Sequence, residues 1–300
     1  MPPVGEADSK STTAGLLTFR PGAWQPLTGS GLAAFAQAGS GRVLLFQFAF
    51  AVLSALTVVW SFRAAWFPVI ERAILQLPNS EAEIRGQRLL WPDAEAVLLA
   101  SSPHLALVVD PTSSSQLGQN GDLQVELRAT DLRFRGLLGQ TVAPYPAQLL
   151  LPLDQTGAKA AWGAWRPPIS TLVGLGTALG LIVSGWILAT LYAPVLLVSG
   201  WVIRRELGWG EAWKLGLASL MPGSLVMNAA LLLYASHWIG LTSLTAMFGL
   251  HFLVGWLAAL WGLGSLPSSS AAAVEPNPFE NETMPVRPLA PTKPRNPFGS

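Results

Sequence analysis

The chain of 300 residues is 51% hydrophobic and 12% charged, with a formal net charge of +1. Such a composition is typical of a membrane protein, and the near-neutral charge gives no reason to expect nucleic acid as a partner. Because the sequence contains no cysteine, disulfides, thiolate catalysis and zinc-thiolate sites are excluded.

The first apolar run is "VLLFQFAFAVLSALTVVWSF", residues 43–62, which carries no charge. It has the length of about 20 residues that a helix needs to cross a bilayer. No small-residue cleavage site follows it, so we predict a retained span over residues 42–62 and not a cleaved signal peptide. Residues 1–41 precede this span, and a short helix at the membrane interface is predicted over residues 27–42, which lead into it.

Residues 63–169 are a polar segment between apolar runs, and their local patterns are typical of strands. The runs "EAEIRGQRLLW", "HLALVVD", "DLQVELRA" and "DLRFRG" are apolar or alternate as strands do. "GQNGD" lies between the second and third of these runs and supplies residues suited to a tight connection. "RAAWFPVIERAILQLP" has helical spacing instead. We therefore predict a small, mainly antiparallel β-domain on a helical stem.

Asp110 ends the run "HLALVVD" and is the candidate site residue of this β-domain. A carboxylate at the end of an apolar strand is a common position for an acid, a base or a metal ligand. The following "PTSSS" favours a turn, which the side chain of Asp110 would cap. His104, the only histidine of the domain, would lie about 20 Å away along the same strand, too far for a catalytic pair. We favour the turn, and predict no catalytic, cofactor-binding or metal-binding residue.

Residues 170–263 are predicted to form three further spans, over residues 170–203, 215–236 and 240–263. The first would be about 50 Å long, whereas the hydrocarbon core of a bilayer is about 30 Å thick. Pro194 is predicted to kink or hinge this helix, because proline removes one backbone hydrogen bond. Pro222, in "MPG", is predicted to bend the next span in the same way.

Asn228 and His251 are the polar side chains of these spans that carry a functional hypothesis. Polar groups within a bilayer can mark the pathway of a substrate or an ion. Apart from Arg42, the first residue of the first span, no Asp, Glu, Lys or Arg lies inside any predicted span, so we favour hydrogen bonding between helices for both residues. Two rows of small residues predict close helix packing: Gly176, Gly180 and Ser184 in one span, and Gly255 and Ala259 in another.

The short loops predict the orientation of the chain in the cell membrane. The loop after the second span carries Arg204, Arg205 and Lys214, whereas the loop between the last two spans has no basic residue. Basic loops stay in the cytoplasm, so both termini are expected there and residues 63–169 outside. Residues 264–300 are rich in proline and serine and are predicted to be a disordered cytoplasmic tail.

Three segments resemble a group of bacterial membrane proteins of uncharacterised function, some linked to maltodextrin-utilisation loci. They are "LPNSEAEIRGQRLLWP" (77–92), "LALVVDPT" (105–112) and "LGWGEAWKLGLASLMPGSLV" (207–226). The resemblance covers about residues 30 to 263. It implies one N-terminal span, an extracytoplasmic β-domain and a C-terminal helical part similar to the Yip family. It carries no activity or site residue to this chain, and here proline stands after Asp110 where the group has another residue.

These patterns favour a non-enzymatic integral membrane protein that binds, senses or acts as a scaffold. Its partners would be the lipid bilayer and a protein or small ligand of the outside domain, with no cofactor. The alternative is a component of a transport system, because interrupted helices line substrate sites in transporters. Four spans are few for a lone transporter, so this alternative would need an oligomer. A membrane-embedded hydrolase ranks third, since the sequence lacks an evident constellation of acid, base and metal ligands.

Overall fold

The computed structural model describes residues 25–79, 82–113 and 117–267, which form five helices and eight strands. The predicted tail therefore lies almost entirely outside the described residues, as does most of the N-terminal segment. The helices are α1 (Gly29–Gln37), α2 (Ser40–Leu75), α3 (Gln155–Val202), α4 (Trp209–Ala235) and α5 (Leu241–Gly264). The strands are β1 (Glu83–Arg85), β2 (Arg88–Leu90), β3 (Val97–Ser101), β4 (Leu105–Asp110), β5 (Leu123–Arg128), β6 (Asp131–Gly136), β7 (Gly139–Pro144) and β8 (Leu150–Pro152).

Helices α2 to α5 are each long and apolar enough to cross a membrane, as the four predicted spans require. Helix α2 has 36 residues and α3 has 48, which correspond to lengths of about 54 and 72 Å. Both exceed the thickness of a hydrocarbon core, about 30 Å. Helix α3 starts well before residue 170, because Asp154 caps it by accepting a 2.8 Å hydrogen bond from the Gly157 amide. The C-terminal end of α2 and the N-terminal end of α3 extend beyond the bundle and form the predicted helical stem.

Helix α4 is the centre of the bundle and packs against α1, α2, α3 and α5. It runs as one helix through Pro222 and begins at Trp209, earlier than the predicted residue 215. The predicted short helix near the N-terminus is confirmed as α1, and it packs across the ends of α4 and α5. Leu32 and Phe35 of α1 are fully buried there.

Small residues bring α4 and α5 together. A Cβ atom added at Gly223 would overlap the carbonyl oxygen of His251, so only glycine fits at this position. The predicted row of Gly255 and Ala259 lies at a helix contact, because both residues are buried and a Cβ atom at Gly255 would touch the Ser219 carbonyl of α4. The predicted row in α3 is wrong, since nothing lies within 4 Å of a Cβ atom placed at Gly176 or Gly180.

The β-domain contains a five-stranded sheet of order β3-β4-β5-β6-β7 and a small sheet of order β2-β1-β8. All pairs are antiparallel except β4 and β5, which run parallel with Leu105 opposite Leu123 and Asp110 opposite Arg128. The tight connection predicted at "GQNGD" is therefore wrong. Parallel neighbours need a chain that returns to the starting end, so β4 does not lead into β5 through a hairpin.

The five-stranded sheet has one apolar and one polar face. The apolar face packs on the stem, where Leu99 and Val109 meet Ile74 of α2 and Ala158 of α3. On the polar face, the carboxylate of Glu126 is buried. It accepts one hydrogen bond and forms ion pairs with two arginines. These partners are Gln124 at 2.9 Å, Arg135 at 3.1 Å and Arg133 at 3.4 Å. A buried charge with such partners is compensated, which indicates a structural role for this face.

Candidate functional site

Helices α2 to α5 border a half-open cavity of about 400 Å³ that is mostly apolar. Four of its polar lining residues come from three different helices: Gln47 and Ser54 of α2, Asn228 of α4 and His251 of α5. The two polar residues predicted from the spans, Asn228 and His251, therefore lie at one site. We call this site the bundle cavity.

Asn228 links two helices at the wall of the bundle cavity. Its side chain is 7% exposed, and its Nδ2 donates a 3.0 Å hydrogen bond to Oγ of Ser54. This contact is the hydrogen bond between helices that the sequence favoured. It also fixes the relative height of α2 and α4, because the two residues face each other directly.

Gln47 is a lining residue that the sequence analysis missed. Its Nε2 donates to the carbonyl of Ile182 at 3.0 Å, and its Oε1 accepts from Nε1 of Trp186 at 2.9 Å. Both groups belong to α3, so Gln47 ties α2 to α3 as Asn228 ties α2 to α4. The available signal was that Gln47 is the one amide in the first apolar run.

His251 stands at the α5 wall of the bundle cavity. Its Nδ1 bonds to the carbonyl of Phe248, one turn earlier in the same helix, and its ring centre lies 3.9 Å from that of Phe252. The prediction of a hydrogen bond between helices is therefore wrong for His251, because the bond found for this side chain lies within α5. A carbonyl can only accept, so Nδ1 carries the proton and Nε2 of the neutral ring keeps a lone pair.

The polar side chains among the described lining residues are all uncharged types, so the cavity suits an uncharged ligand that offers hydrogen-bond donors.

A second polar cluster joins the sheet to the end of the bundle. It consists of His104, directly before β4, Asp122, directly before β5, Tyr234 near the end of α4, and His237 in the following loop. The Tyr234 hydroxyl donates a 2.7 Å hydrogen bond to Oδ2 of Asp122, and Nδ1 of His104 lies 3.7 Å from the same oxygen. The ring of His104 stacks on His237, with centroids 4.5 Å apart and planes within 4°. We call this cluster the junction.

Backbone geometry at the end of α4 positions His237. Its φ of 63° is left-handed, a conformation that side chains other than glycine rarely adopt. The amide of Trp238 donates to the carbonyl of Leu233 at 2.9 Å, and the amide of His237 donates to that of Tyr234 at 3.0 Å. These bonds form the helix-terminating motif in which glycine is usual. A histidine here accepts backbone strain and gains contact with His104.

His104 is neutral and almost fully enclosed in the junction. Only 2% of its surface is exposed, and neither ring nitrogen has a hydrogen-bond partner among the described residues. Burial lowers the pKa of His104, and so does the neighbouring His237, while the carboxylate of Asp122 opposes them. Because the net direction is downward from 6.5, the imidazole stays uncharged near neutral pH.

The other two predicted site residues lie elsewhere. Asp110 is buried at the far end of β4 from His104, and its Oδ1 accepts a 3.1 Å hydrogen bond from the hydroxyl of Thr112. The backbone turns there, since the amide of Ser113 donates to the carbonyl of Asp110 at 3.1 Å. Pro194 is exposed on α3 and belongs to neither the bundle cavity nor the junction.

Fold and sites together define a helical bundle with four candidate membrane spans and a mostly antiparallel sheet domain at one end. Comparison with known proteins finds no matching family model, curated protein or solved structure. The resemblance to membrane proteins with a Yip-like helical part stays a prediction.

Proposed function

We propose that the chain is a non-enzymatic integral membrane protein whose extracytoplasmic β-domain binds a protein partner or a small ligand and communicates with the spans. The observation that carries this proposal is the 2.7 Å hydrogen bond from Tyr234 in α4 to Asp122 in the β-domain. It supplies a second attachment of the sheet to the bundle, in addition to the stem. The stem alone would be enough to anchor the β-domain, so the second attachment supports communication between the β-domain and the spans.

The path from the junction into the bundle is short. Tyr234 belongs to α4, and α4 packs against all four other helices. A displacement of the β4 and β5 ends therefore acts directly on the central helix. Contact alone carries no signal unless the bundle has two arrangements, so the proposal depends on a measured change at the opposite end.

The proposed orientation in the cell membrane has both termini in the cytoplasm and residues 63–169 outside. It is supported by the charges at the end of the bundle away from the sheet. Arg205 donates hydrogen bonds to the carbonyls of Gly264 and Leu266, and Lys214 donates to that of Ala38 at 2.6 Å. Arg205 and Lys214 thus lie together at the end of the bundle away from the sheet, where the rule for cytoplasmic loops would place them.

Two introduced cysteines test the coupling, since the sequence has none of its own. Gly39→Cys and Gly210→Cys lie at the end away from the sheet, where an added side chain meets nothing within 4 Å. We expect Tyr234→Phe, which removes the junction hydrogen bond, to change the rate at which a bismaleimide links these cysteines in membranes. Tyr145→Phe is the control, because it removes the 2.8 Å bond to the Arg128 carbonyl inside the β-domain.

The proposal fails if Tyr234→Phe and Tyr145→Phe give the same crosslinking rate as the parent at equal protein amounts. The β-domain would then be anchored without communicating. Pro194→Ala provides a second probe, because it restores a backbone donor in α3 and makes bending there more costly. In a communicating bundle this substitution also changes the crosslinking rate, without reducing the amount of folded protein.

A second candidate function is a component of a transport system, and the bundle cavity favours it. The cavity is bordered by proline-containing helices and offers uncharged hydrogen-bonding groups. The test uses glycerol, a small uncharged polyol, and light scattering of proteoliposomes to follow its entry. A transporter admits glycerol faster than empty liposomes do, and Asn228→Leu slows that entry. Equal rates with and without the protein argue against glycerol transport.

A further inference from the structure

The turn between β6 and β7 consists of two leucines that face solvent. Leu137 is 54% exposed and Leu138 is 101% exposed, the largest exposure among the large apolar side chains of the described residues. Two-residue hairpin turns usually carry glycine, asparagine or aspartate, because these residues suit the backbone and tolerate water. Two consecutive exposed leucines at such a position call for an apolar environment that the β-domain itself does not supply.

Strand register locates this turn at the end of the sheet that meets the bundle. Gly136, the last residue of β6, pairs with Leu123, the first residue of β5. Asp122, which precedes Leu123, accepts the hydrogen bond from Tyr234 near the end of α4. The leucine turn is therefore one strand away from the junction, a lateral distance of about 5 Å. It points along the strand axis toward the bundle end.

The positions of residues along α2 and α4 show where this end of the sheet lies relative to the expected membrane surface. Asn228 of α4 and Ser54 of α2 face each other across 3.0 Å, and both helices run in the same direction. Six residues further along each helix lie Tyr234 and Trp60, which share a height for that reason. Trp60 is 49% exposed and Trp238, in the loop after α4, is 81% exposed. Tryptophans so placed are typical of the interface between hydrocarbon and headgroups.

We propose that Leu137 and Leu138 insert into the adjacent leaflet of the bilayer and contact phospholipid acyl chains. The turn lies at about the same distance along the bundle axis as Trp60 and Trp238. It points toward the membrane, and its two side chains are apolar. Shallow insertion of apolar side chains is how interfacial segments bind membranes. The bundle and the stem hold the domain from beneath, and the leucine turn adds a contact beside them. This inference requires only that the helices cross the membrane, and it stands whether or not the junction transmits a signal.

A fluorescent probe at the turn tests the insertion. Leu138→Cys, labelled with an environment-sensitive nitrobenzoxadiazole maleimide, is reconstituted with phosphatidylcholine that carries a nitroxide on its acyl chain. The matched control is Val142→Cys on β7, which is 50% exposed and lies about 14 Å further from the turn at the strand rise. Both positions are exposed, so neither substitution threatens folding.

We expect blue-shifted emission at position 138 and quenching by the nitroxide lipid several-fold stronger than at position 142. Water-like emission with equal quenching at both positions would overturn the proposal, because the turn would then face solvent. Blue-shifted emission at position 138 without lipid quenching would also overturn it, because a protein surface or a second copy of the chain would then cover the leucines.

Discussion

At the junction, the burial of His104 predicts that the attachment of the β-domain is sensitive to acid. His104 is buried among Asp122, Tyr234 and His237, and its ring nitrogens have no hydrogen-bond partner among the described residues. Burial disfavours the charged imidazole and lowers the pKa of His104; the neighbouring His237 acts in the same direction, while Asp122 compensates in part.

We predict that the junction weakens as the pH falls below 6.5, the ordinary pKa of His104. Below this value the unfolded chain binds a proton that the folded protein resists, so the free energy of unfolding decreases. Thermal unfolding of the purified protein, followed between about pH 7.5 and about pH 5.5, measures the loss. In His104→Phe, which keeps an aromatic ring without titration, the midpoint should fall less over the same range. An identical fall in both proteins would exclude His104 as the cause.

For Asp110 the structure supports the turn that the sequence favoured, and this leads to a prediction. Asp110→Asn should fold with nearly unchanged stability, because the amide oxygen can still accept the hydrogen bond from Thr112. Asp110→Ala removes that acceptor and should lower the free energy of unfolding by about 1 kcal/mol. Chemical unfolding of both variants gives the comparison. If Asp110→Asn folds normally and yet loses a cellular phenotype of the parent, the carboxylate has a chemical role.

Among the elements, the contact between α4 and α5 is the most demanding sterically. Gly223→Ala would drive a methyl group into the His251 carbonyl, so the two helices must separate. We predict a loss of about 1–3 kcal/mol, as for other overpacked cores. Gly249→Ala in α5 is the control, since its Cβ meets nothing within 4 Å and alanine favours a helix. In detergent unfolding titrations, the free energy of unfolding of the parent should be well above that of Gly223→Ala. It should be no higher than that of Gly249→Ala. The reverse order would contradict the close approach.

The helices were more predictable from the sequence than the sheet. Charge-free runs of about 20 residues identify candidate spans without reference to the rest of the chain, and all four correspond to helices in the structure. The same criterion misses the part of the stem that α3 supplies, because Lys159 and Arg166 interrupt the apolar pattern although the helix continues through them. Helix ends depend on caps such as Asp154, which apolar runs do not reveal.

The junction was not predictable, because it depends on a pairing between distant strands. "HLALVV" and "DLQVEL" each begin with a polar residue followed by an apolar strand. Only parallel pairing brings His104 and Asp122 side by side, whereas the glycine-rich connection suggested a hairpin. Local turn chemistry indicates where a chain reverses and leaves open which strands become neighbours. The position of His237 depends on the end of α4, where histidine and not the usual glycine occupies the left-handed position. The sequence therefore gives no glycine signal for this helix end.

At the scale of the whole molecule, the two ends of the bundle differ in chemistry. One end carries the basic loop with Arg204, Arg205 and Lys214, and the other carries the junction, whose loop after α4 has no basic residue. This asymmetry is the basis of the proposed orientation, in which the β-domain lies outside the cell membrane. The proposed binding of an extracytoplasmic partner or ligand by the β-domain depends on that orientation.

Labelling of single cysteines in intact cells tests it most directly, because the parent sequence has no background thiol. Gly118 in the β-domain and Glu206 in the basic loop are both exposed, so a membrane-impermeant maleimide can reach either of them from its own side. We predict that Gly118→Cys is labelled in intact cells, and that Glu206→Cys is labelled only after the membrane is permeabilised. Labelling of Glu206→Cys in intact cells, with Gly118→Cys protected until permeabilisation, would contradict the proposed orientation and with it an extracytoplasmic β-domain.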